Sequence, residues 1–254
     1  MKIAIIGYGK MGHMIEEVAL SRGHQIVGVI DPRLNEELKI KNEELSLPLI
    51  DFESEEFRSA DVAIEFTTPA TAEENIRKAW AQGVPVVCGT TGWNPEELKI
   101  KNYKLKIKDN KAVIADETGK VMLVWSSNFS VGVNIFFELN KFLAEKIREA
   151  SPQPSPEGKG GYMPSIKEIH HIHKLDKPSG TAKTLAEQIS AMYEGRMYDV
   201  RREVPIESIR EGEVPGTHEV TWDSEEDTIV ITHIAKGRRG FALGAVLAAE
   251  EVTR

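Results

Sequence analysis

The first twelve residues of this 254-residue chain, Met1-Lys2-Ile3-Ala4-Ile5-Ile6-Gly7-Tyr8-Gly9-Lys10-Met11-Gly12, decide its fold. A short apolar strand leads into the pattern G-x-G-x-x-G, and a helical pattern follows it. In this setting Gly7 permits a tight turn, Gly9 lets a pyrophosphate approach the backbone, and Gly12 lets the helix pack closely on the strand. A purely structural glycine turn could have the same pattern, but the order of strand, glycine loop and helix favours a dinucleotide-binding loop.

The rest of the first half alternates short apolar runs with amphipathic stretches. Apolar strands separated by helices indicate a parallel sheet covered on both faces, so we predict an α/β, Rossmann-like domain. A further helix begins at Asn94-Pro95-Glu96-Glu97, where a capping residue precedes proline and two acids. The other predicted strands are Lys2–Ile6, Gln25–Ile30, Val62–Phe66 and Val84–Cys88, and the helices are Met11–Arg22 and Glu73–Gln82.

An acidic residue, Asp31, ends the second predicted strand, at about the distance where an acid meets the adenosine ribose. Its carboxylate should bind the ribose hydroxyls and repel a 2′-phosphate, which favours NADH. Arg33 and Lys10 lie close enough in sequence to accept that phosphate. We therefore expect both NADH and NADPH to work, with some preference for NADH.

Two further loops follow strands of the same predicted sheet, Phe66-Thr67-Thr68-Pro69 and Gly89-Thr90-Thr91-Gly92. In open α/β sheets the ligand binds beyond the carboxyl ends of the strands. Both loops are therefore expected to border the cofactor, although Gly-Thr-Thr-Gly alone is equally typical of a plain turn.

The pattern changes after about residue 126, and both helices and strands are predicted beyond it. A run with four prolines and three glycines, Ser151–Pro164, predicts an exposed loop. The predicted helices are Val131–Ile147, a helix opened by Ser179-Gly180-Thr181 that runs to about Tyr193, and Phe241–Val252, and the predicted strands are Ile166–Ile172 and Asp227–Ile234.

Three histidines and two lysines are concentrated between residues 168 and 182, just before a predicted helix. Histidine titrates near neutral pH, lysine donates hydrogen bonds, and a helix N-terminus attracts anions. The cluster is typical of a site that holds an anionic substrate and moves a proton. Taken alone, a polar surface loop explains it equally well.

The segment His170–Ala182 resembles the signature of the 4-hydroxy-tetrahydrodipicolinate reductase (dihydrodipicolinate reductase) family. Gly7–Gly12, Phe66-Thr67, Gly89–Gly92, Ser127–Asn134 and Phe241–Ala245 extend the resemblance over most of the chain. It implies NAD(P)H-dependent reduction of a small cyclic dicarboxylate, 4-hydroxy-tetrahydrodipicolinate, in lysine and diaminopimelate biosynthesis. It also implies a dinucleotide-binding domain from residues 1–127 and 236–254, and an α+β substrate-binding domain, residues 128–235, that builds a homotetramer.

The resemblance also implies residue roles. His170 and Lys174 are expected to be the catalytic pair that manages the proton, and His171, Ser179, Gly180 and Thr181 to hold the substrate. Ser179 should also cap the helix that follows, whereas His173 is expected to be structural. The expected cofactor-binding residues lie in the loops that follow the strands: Gly7, Tyr8, Gly9, Lys10, Met11, Gly12, Asp31, Arg33, Phe66, Thr67, Gly89, Thr90, Thr91, Ser126, Ser127, Asn128 and Phe129.

The chain departs from the family pattern at several points. Its glycine loop is one residue shorter than the family's Gly-x-x-Gly-x-x-Gly, and Lys10 stands where arginine is usual. Ser126-Ser127 replaces an alanine-rich form, and residues 151–161 look like an insertion. These departures leave the cofactor preference and the phosphate contacts open.

Composition limits the other partners. A net charge of −8 argues against nonspecific nucleic-acid binding, and no apolar run is long enough to span a bilayer. The chain has one cysteine, Cys88, so it can form no intrachain disulfide, which suits the cytoplasm. We therefore expect a cytoplasmic protein without nucleic-acid or membrane partners.

The sequence allows three other interpretations. Another Rossmann-fold oxidoreductase, acting on a small carboxylate, a sugar or a semialdehyde, would not need the full histidine–lysine run. A nucleotide-sensing regulator would need a recognition helix rich in basic residues, which the sequence lacks. A metal site is not expected, because adjacent His170 and His171 would point to opposite sides of a strand and His171 and His173 have no evident third ligand.

Overall fold

A computed structural model describes residues 1–34, 47–98, 104–108, 111–150, 161–192 and 204–254. The chain divides into two compact units, Met1–Ser130 with Arg238–Arg254, and Val131–Gly237. Most of the loop predicted over 151–164, and the helix end predicted at Tyr193, lie outside the described residues. Met163 and Pro164 are an exception, because they begin a strand instead of ending a loop.

The elements follow one another in this order: β1 (Lys2–Ile6), α1 (Lys10–Ser21), β2 (Gln25–Ile30), α2 (Glu55–Arg58), β3 (Val62–Glu65), α3 (Pro69–Ala81), β4 (Val86–Cys88), a 3₁₀ turn (Pro95–Leu98), β5 (Lys104–Lys108), β6 (Lys111–Ala115), β7 (Val121–Ser126), α4 (Val131–Ala150), β8 (Met163–His170), α5 (Gly180–Ala191), β9 (Ile206–Arg210), β10 (Thr217–Asp223), β11 (Thr228–Ile234) and α6 (Arg239–Val252). Among the residues described, no helix combines the length and the apolar character needed to cross a membrane.

The first unit is built on one sheet whose described strands have the order β2-β1-β3-β4-β7-β6-β5. The pairs β1–β2, β1–β3, β3–β4 and β4–β7 are parallel, and β6 and β5 add an antiparallel edge. The parallel α/β arrangement predicted from the sequence is confirmed. Because the strands run parallel, the loops that follow β1 to β4 all emerge at one edge of the sheet.

Helices cover both faces of this sheet, and β1 contributes to both cores. Ile3 and Ile5 pack with α1 and α6 on one face, whereas Ala4 and Ile6 pack with α3 on the other. The last helix therefore belongs to the core of the first unit. Gly244 makes its approach possible, since a Cβ atom there would lie 1.7 Å from the Phe129 carbonyl oxygen.

The second unit has a sheet with the described order β11-β10-β8-β9, in which β8 and β9 are parallel and the other neighbours antiparallel. Helices α4 and α5 pack on it around Phe137, Leu185 and Trp222, which are fully or almost fully buried. This sheet carries the histidine–lysine segment at the carboxyl end of β8.

Several predicted boundaries were wrong for local reasons. Helix α3 begins at Pro69 and not at Glu73, because Thr68 has extended backbone angles and proline suits the first helical position. Val84 does not belong to β4, since its N–H binds the Ala79 carbonyl at the end of α3. Strand β8 ends at His170, because the chain turns and the Lys174 N–H binds the His171 carbonyl.

Candidate active site

The three glycines of the first loop have different surroundings. Gly7 has φ +89°, and a Cβ atom there would lie 2.1 Å from the Phe66 carbonyl oxygen. A Cβ atom on Gly12 would lie 2.4 Å from the Gly7 carbonyl oxygen. At Gly9 the nearest neighbour of such an atom is the Arg33 guanidinium, 3.8 Å away. Gly7 and Gly12 are therefore required by packing, whereas Gly9 keeps the backbone open.

A cleft of about 720 Å³ lies beyond the carboxyl ends of β1 to β4. Its walls combine the first glycine loop, the residues that follow β2, and the two threonine-containing loops. The predicted cofactor residues that line it are Gly7, Gly9, Lys10, Met11, Asp31, Arg33, Phe66, Thr67, Gly89, Thr90 and Thr91. Its volume falls in the usual range for a small-molecule or cofactor site.

The remaining predicted cofactor residues lie outside the lining of this cleft. Tyr8 is buried and its N–H donates to the Asp31 carboxylate at 2.9 Å. The Phe129 ring lies 6.3 Å from the Phe66 ring, measured between centroids. The others outside the lining are Gly12, Ser126, Ser127 and Asn128, and the Ser126 hydroxyl donates to the Asn128 carbonyl.

Sequence reasoning missed the contribution of α3 to the cleft. Thr71, Asn75 and Lys78 line it from one face of that helix. Their spacing of four and three residues is the helical signal that could have identified them. Together with Lys10 and Arg33, Lys78 makes three cationic side chains that border the cleft.

The acid after β2 is held by an arginine two residues further on. Asp31 is 4% exposed, and Arg33 donates to both of its carboxylate oxygens, at 3.0 and 2.8 Å. Burial opposes ionisation of Asp31, but the hydrogen bonds from Arg33 and from the backbone of Tyr8 and Arg33 outweigh it and lower its pKa. The side chain of Arg33 remains 69% exposed.

The second threonine loop is fixed at Thr90. The Thr90 hydroxyl donates to the buried Glu65 carboxylate at 2.7 Å and accepts the Thr67 N–H at 2.8 Å. Its carbonyl accepts the indole N–H groups of Trp93 and Trp125, each at 2.8 Å. Nothing in the sequence pointed to Glu65, which stands at the end of an apolar strand. These contacts hold the loop in place before any ligand arrives.

The histidine–lysine segment connects β8 to α5. Ser179 caps α5 by accepting the Ala182 N–H at 3.2 Å, as predicted from the sequence. Lys174 forms an ion pair with Asp176, with Nζ and Oδ1 2.7 Å apart. His173 is exposed, and its Nε2 lies 3.3 Å from the carboxylate of Glu213.

The described structure also shows where the other predicted substrate residues lie. His171 follows the end of β8 and is partly buried, and its ring centroid is 6.1 Å from that of His173. Gly180 and Thr181 are the first two residues of α5. A Cβ atom on Gly180 would meet no atom within 4 Å among the described residues. The start of the helix is thus accessible to a ligand.

Beneath this segment lies a buried polar cluster around Glu168. Its Oε1 accepts the Ser179 N–H at 3.0 Å and an Arg210 N–H at 3.2 Å. Its Oε2 lies 3.2 Å from His170 Nδ1 and 3.8 Å from His218 Nε2. Elements β8, β9 and β10 and the start of α5 therefore meet at one carboxylate.

Burial and polar contacts shift the pKa of Glu168 in opposite directions. Burial alone would raise the pKa of Glu168, but its contacts with His170 and Ser179 hold that pKa well below its usual range. Burial, and then the neighbouring His170, lowers the pKa of His218 to about 3. Glu168 is thus ionised and His218 neutral at neutral pH.

Glu168, His170 and His218 offer three ligand atoms within 4.8 Å of one another, which is compact enough for a metal ion. In the sequence, the pair His171 and His173 has no evident third ligand, and neither Glu168 nor His218 was expected to be one. The cluster already has protein partners, since Arg210 binds the carboxylate and the Ser179 hydroxyl lies 3.1 Å from His218 Nε2. A cation here would face the Arg210 charge, so we interpret the cluster as an ion-paired network.

Both units match models of one protein family. Residues 1–129 match the model described as "Dihydrodipicolinate reductase, N-terminus", and residues 132–254 match "Dihydrodipicolinate reductase, C-terminus". A protein of Christiangramia forsetii named 4-hydroxy-tetrahydrodipicolinate reductase is 43% identical over 98% of this chain and 91% of its own length. A protein of the same name from Archaeoglobus fulgidus is 32% identical over 100% of this chain and 95% of its own length.

A solved structure has the same fold. The dipicolinate-bound dihydrodipicolinate reductase from Paenisporosarcina sp. TG-14 superposes with a TM-score of 0.73 at 21% identity, over 100% of this chain and 94% of that one. The family models cover both units and the relatives match nearly the full chain, so this protein belongs to the dihydrodipicolinate reductase family.

Proposed function

We propose that this protein reduces 4-hydroxy-tetrahydrodipicolinate to tetrahydrodipicolinate with NAD(P)H, in lysine and diaminopimelate biosynthesis. The observation that carries the proposal is the arrangement around Glu168. Glu168 contacts His170 and the Ser179 N–H at the start of α5, and it also binds Arg210, which donates to the backbone of the turn that carries Lys174. Relatives that carry the reductase name match the chain over both units, which supports the same activity.

The chemistry requires a hydride, a proton and the loss of water. The reduced nicotinamide nucleotide supplies the hydride when it is bound. His170 and Lys174 are proposed to manage the proton, because His170 is buried at the end of β8 and Lys174 is partly buried in the turn that follows it. Positioned acid catalysis of this kind is typically worth about 10²–10⁴-fold in rate.

A dianionic substrate also needs cations and oriented N–H donors. The N-terminal turn of α5 places the positive end of the helix dipole at Gly180 and Thr181, where it favours a carboxylate. Lys174 adds a compact positive charge. We assign these groups, with His171 and Ser179, to the binding of the substrate carboxylates.

The cleft of the first unit is proposed to hold the nucleotide. Gly9 leaves room for the pyrophosphate beside the backbone, and Thr67 and Thr90 border the far side of the cleft. We propose that both NADH and NADPH bind, with some preference for NADH. Asp31 supports NADH, whereas its pairing with Arg33 supplies an exposed cation for a 2′-phosphate.

A homotetramer and a cytoplasmic location are part of the proposal. An exposed apolar stripe runs along one face of α4, and exposed apolar residues also lie on β11. The residues are Val131, Ile135, Leu139 and Phe142 on the helix, and Val230 and Ile234 on the strand. Such a patch favours contact with further copies of the chain. Light scattering should give the mass of four chains, and Phe142→Lys should reduce it while Glu145→Gln does not.

The substrate assignment is tested by product analysis. Tetrahydrodipicolinate should form in a one-to-one ratio with nucleotide oxidised when freshly prepared 4-hydroxy-tetrahydrodipicolinate is supplied. Small semialdehydes and 2-oxo acids should give no comparable turnover. If a semialdehyde or another small carboxylate is reduced faster, the protein is a different oxidoreductase of the same fold.

A further inference from the structure

We propose that Glu168 is the positioning residue of the substrate site, and that its buried carboxylate holds His170 with Nδ1 turned inward and Nε2 presented to the substrate. The inference deepens the proposed function, on which it rests for the identity of the substrate. The orientation of the ring is a property of the second unit alone and can be tested without any substrate.

The alternation of β8 brings the two side chains together. Ile166, Glu168 and His170 face the same buried side of the sheet, because residues two apart on a strand share a face. Ile166 packs in the apolar core with α5. Further along this face, Glu168 and His170 place a carboxylate and an imidazole where Ile166 has an apolar side chain. His170 is the last residue of the strand. A buried acid is thus fixed to the same rigid element as the proposed catalytic histidine.

The partners of Glu168 immobilise it. Its Oε1 accepts hydrogen bonds from Ser179 and Arg210, which leaves Oε2 facing His170 Nδ1 at 3.2 Å. Glu168 is fully buried, and an ionised group in such a place is costly unless it is paired. A carboxylate oxygen at this distance favours a hydrogen on Nδ1, and we assign the hydrogen of the neutral ring to that nitrogen.

Gly216 lies beside the opposite edge of the His170 ring, at Nε2. Gly216 has φ +151°, and a Cβ atom there would lie 3.1 Å from His170 Nε2. The ring of His218 packs edge-on against His170, with centroids 5.0 Å apart. Glycine therefore keeps a side chain away from Nε2, which is the nitrogen left to exchange a proton with a substrate.

Arg210 extends the same control to Lys174. Its Nε donates to the Lys174 carbonyl at 3.3 Å, and it also donates to the Asp176 carbonyl. The guanidinium is held in turn by Glu168. The Glu168 carboxylate therefore orients His170 directly. Through Arg210 it also holds the backbone of the turn that carries Lys174.

A double-mutant cycle tests the proposal. Glu168→Gln keeps the shape but removes the charge, and we expect it to lower kcat by about 10- to 100-fold with a smaller change in KM. In a His170→Ala background the same substitution should change kcat less than about twofold, because the glutamine oxygen can still accept from Arg210 and hold the Lys174 turn, and groups that act as one unit are not additive. Glu219→Gln on β10 is the matched control, since Glu219 lies on the other face of the sheet, and it should leave kcat unchanged.

Two results would overturn the proposal. One is an equal loss from Glu168→Gln in both backgrounds, and the other is a loss confined to KM. If Glu168→Gln does not fold, Glu168→Asp can be used, because it keeps the charge but has a side chain one methylene shorter. It should lower kcat by a smaller factor, and again only when His170 is present. An unchanged kcat in Glu168→Asp would contradict the proposal.

A spectroscopic measurement separates this inference from the proposed function. In protein labelled with ¹⁵N-histidine, the His170 signal, assigned with His170→Ala, should show a hydrogen on Nδ1 without substrate. Glu168→Gln should change that pattern, and Glu219→Gln should not. A His170 ring with Nδ1 unprotonated in the wild type would refute the positioning role, whatever substrate the enzyme uses.

Discussion

Arg33 donates two hydrogen bonds to the Asp31 carboxylate, from Nε to Oδ1 at 3.0 Å and from Nη2 to Oδ2 at 2.8 Å. The acid that would repel a 2′-phosphate is therefore paired with a cation that is itself largely exposed. A Cβ atom on Gly9 would lie 3.8 Å from Arg33 Nη2, so the guanidinium borders the glycine loop where a phosphate would bind. The pair explains how one site could serve two nucleotides.

Replacing Arg33 should separate the two cofactors. In Arg33→Ala, kcat/KM for NADPH should fall about 10- to 100-fold more than for NADH, because a charge-assisted contact to the phosphate is lost. Steady-state kinetics with both nucleotides measure the ratio. Arg58→Ala is the control, since Arg58 binds Gln82 on the surface of the same unit. Equal losses for both nucleotides would show that Arg33 does not recognise the phosphate.

Gly7 and Gly119 provide a matched pair for the glycine loop. Both have positive φ, +89° and +91°, but only Gly7 has a carbonyl oxygen in the way of a Cβ atom. Gly119→Ala should cost about 1–2 kcal/mol of unfolding free energy from backbone strain. Gly7→Ala should cost about 2–5 kcal/mol, because a clash is added. Denaturant titration measures both, and equal losses would contradict the packing argument.

Gly9 should behave differently from Gly7. The nearest atom to a Cβ at Gly9 is Arg33 Nη2, 3.8 Å away, so Gly9→Ala should leave the unfolding free energy nearly unchanged. The new methyl group would occupy the space assigned to the pyrophosphate, and nucleotide affinity should fall at least about tenfold. Calorimetric titration with NADH checks this. Unaltered affinity would mean that the nucleotide does not pass over Gly9.

His170→Ala and Lys174→Ala should each lower kcat/KM by at least about 100-fold, because each removes a group proposed to manage the proton. Nucleotide affinity should not change, since the glycine loop belongs to the other unit. His173→Ala is the control, because that side chain is exposed and paired with Glu213. Near-normal turnover in either of the first two variants would remove that residue from the mechanism.

His218 should make the protein lose stability in acid. Its native pKa is lowered to about 3, so between that pH and about 6.5 the unfolded chain binds a proton that the native protein does not. The unfolding free energy therefore rises with pH across this window and falls on acidification. His218→Gln should flatten the curve by up to about 1.4 kcal/mol per pH unit. Parallel curves for wild type and variant would contradict the shift.

Local sequence patterns identified several residues that line the cleft of the first unit. Gly7, Gly9 and Gly12 lie within six residues, and Asp31 follows at a fixed distance, so both features could be found without long-range information. The cap at Ser179 was found for the same reason. Such features depend on neighbours in the chain, which periodicity and motif spacing describe.

Long-range partners were missed. Glu168 reads as an ordinary polar residue of an alternating strand, because its partners Arg210 and His218 come from β9 and β10, far along the chain. Strand β10 did carry a signal, since His218, Val220 and Trp222 alternate with more exposed residues. The buried acid Glu65 gave no signal at all. Pairing between distant strands is decided by packing, which a single sequence does not encode locally.

The most direct test of the account follows the absorbance of reduced nucleotide after freshly prepared 4-hydroxy-tetrahydrodipicolinate is added to the full-length protein. We predict rapid consumption of both NADH and NADPH, strict dependence on the substrate, and a loss of at least about 100-fold in Lys174→Ala. If a folded wild-type protein that binds NADH consumes neither nucleotide, the reductase function is contradicted.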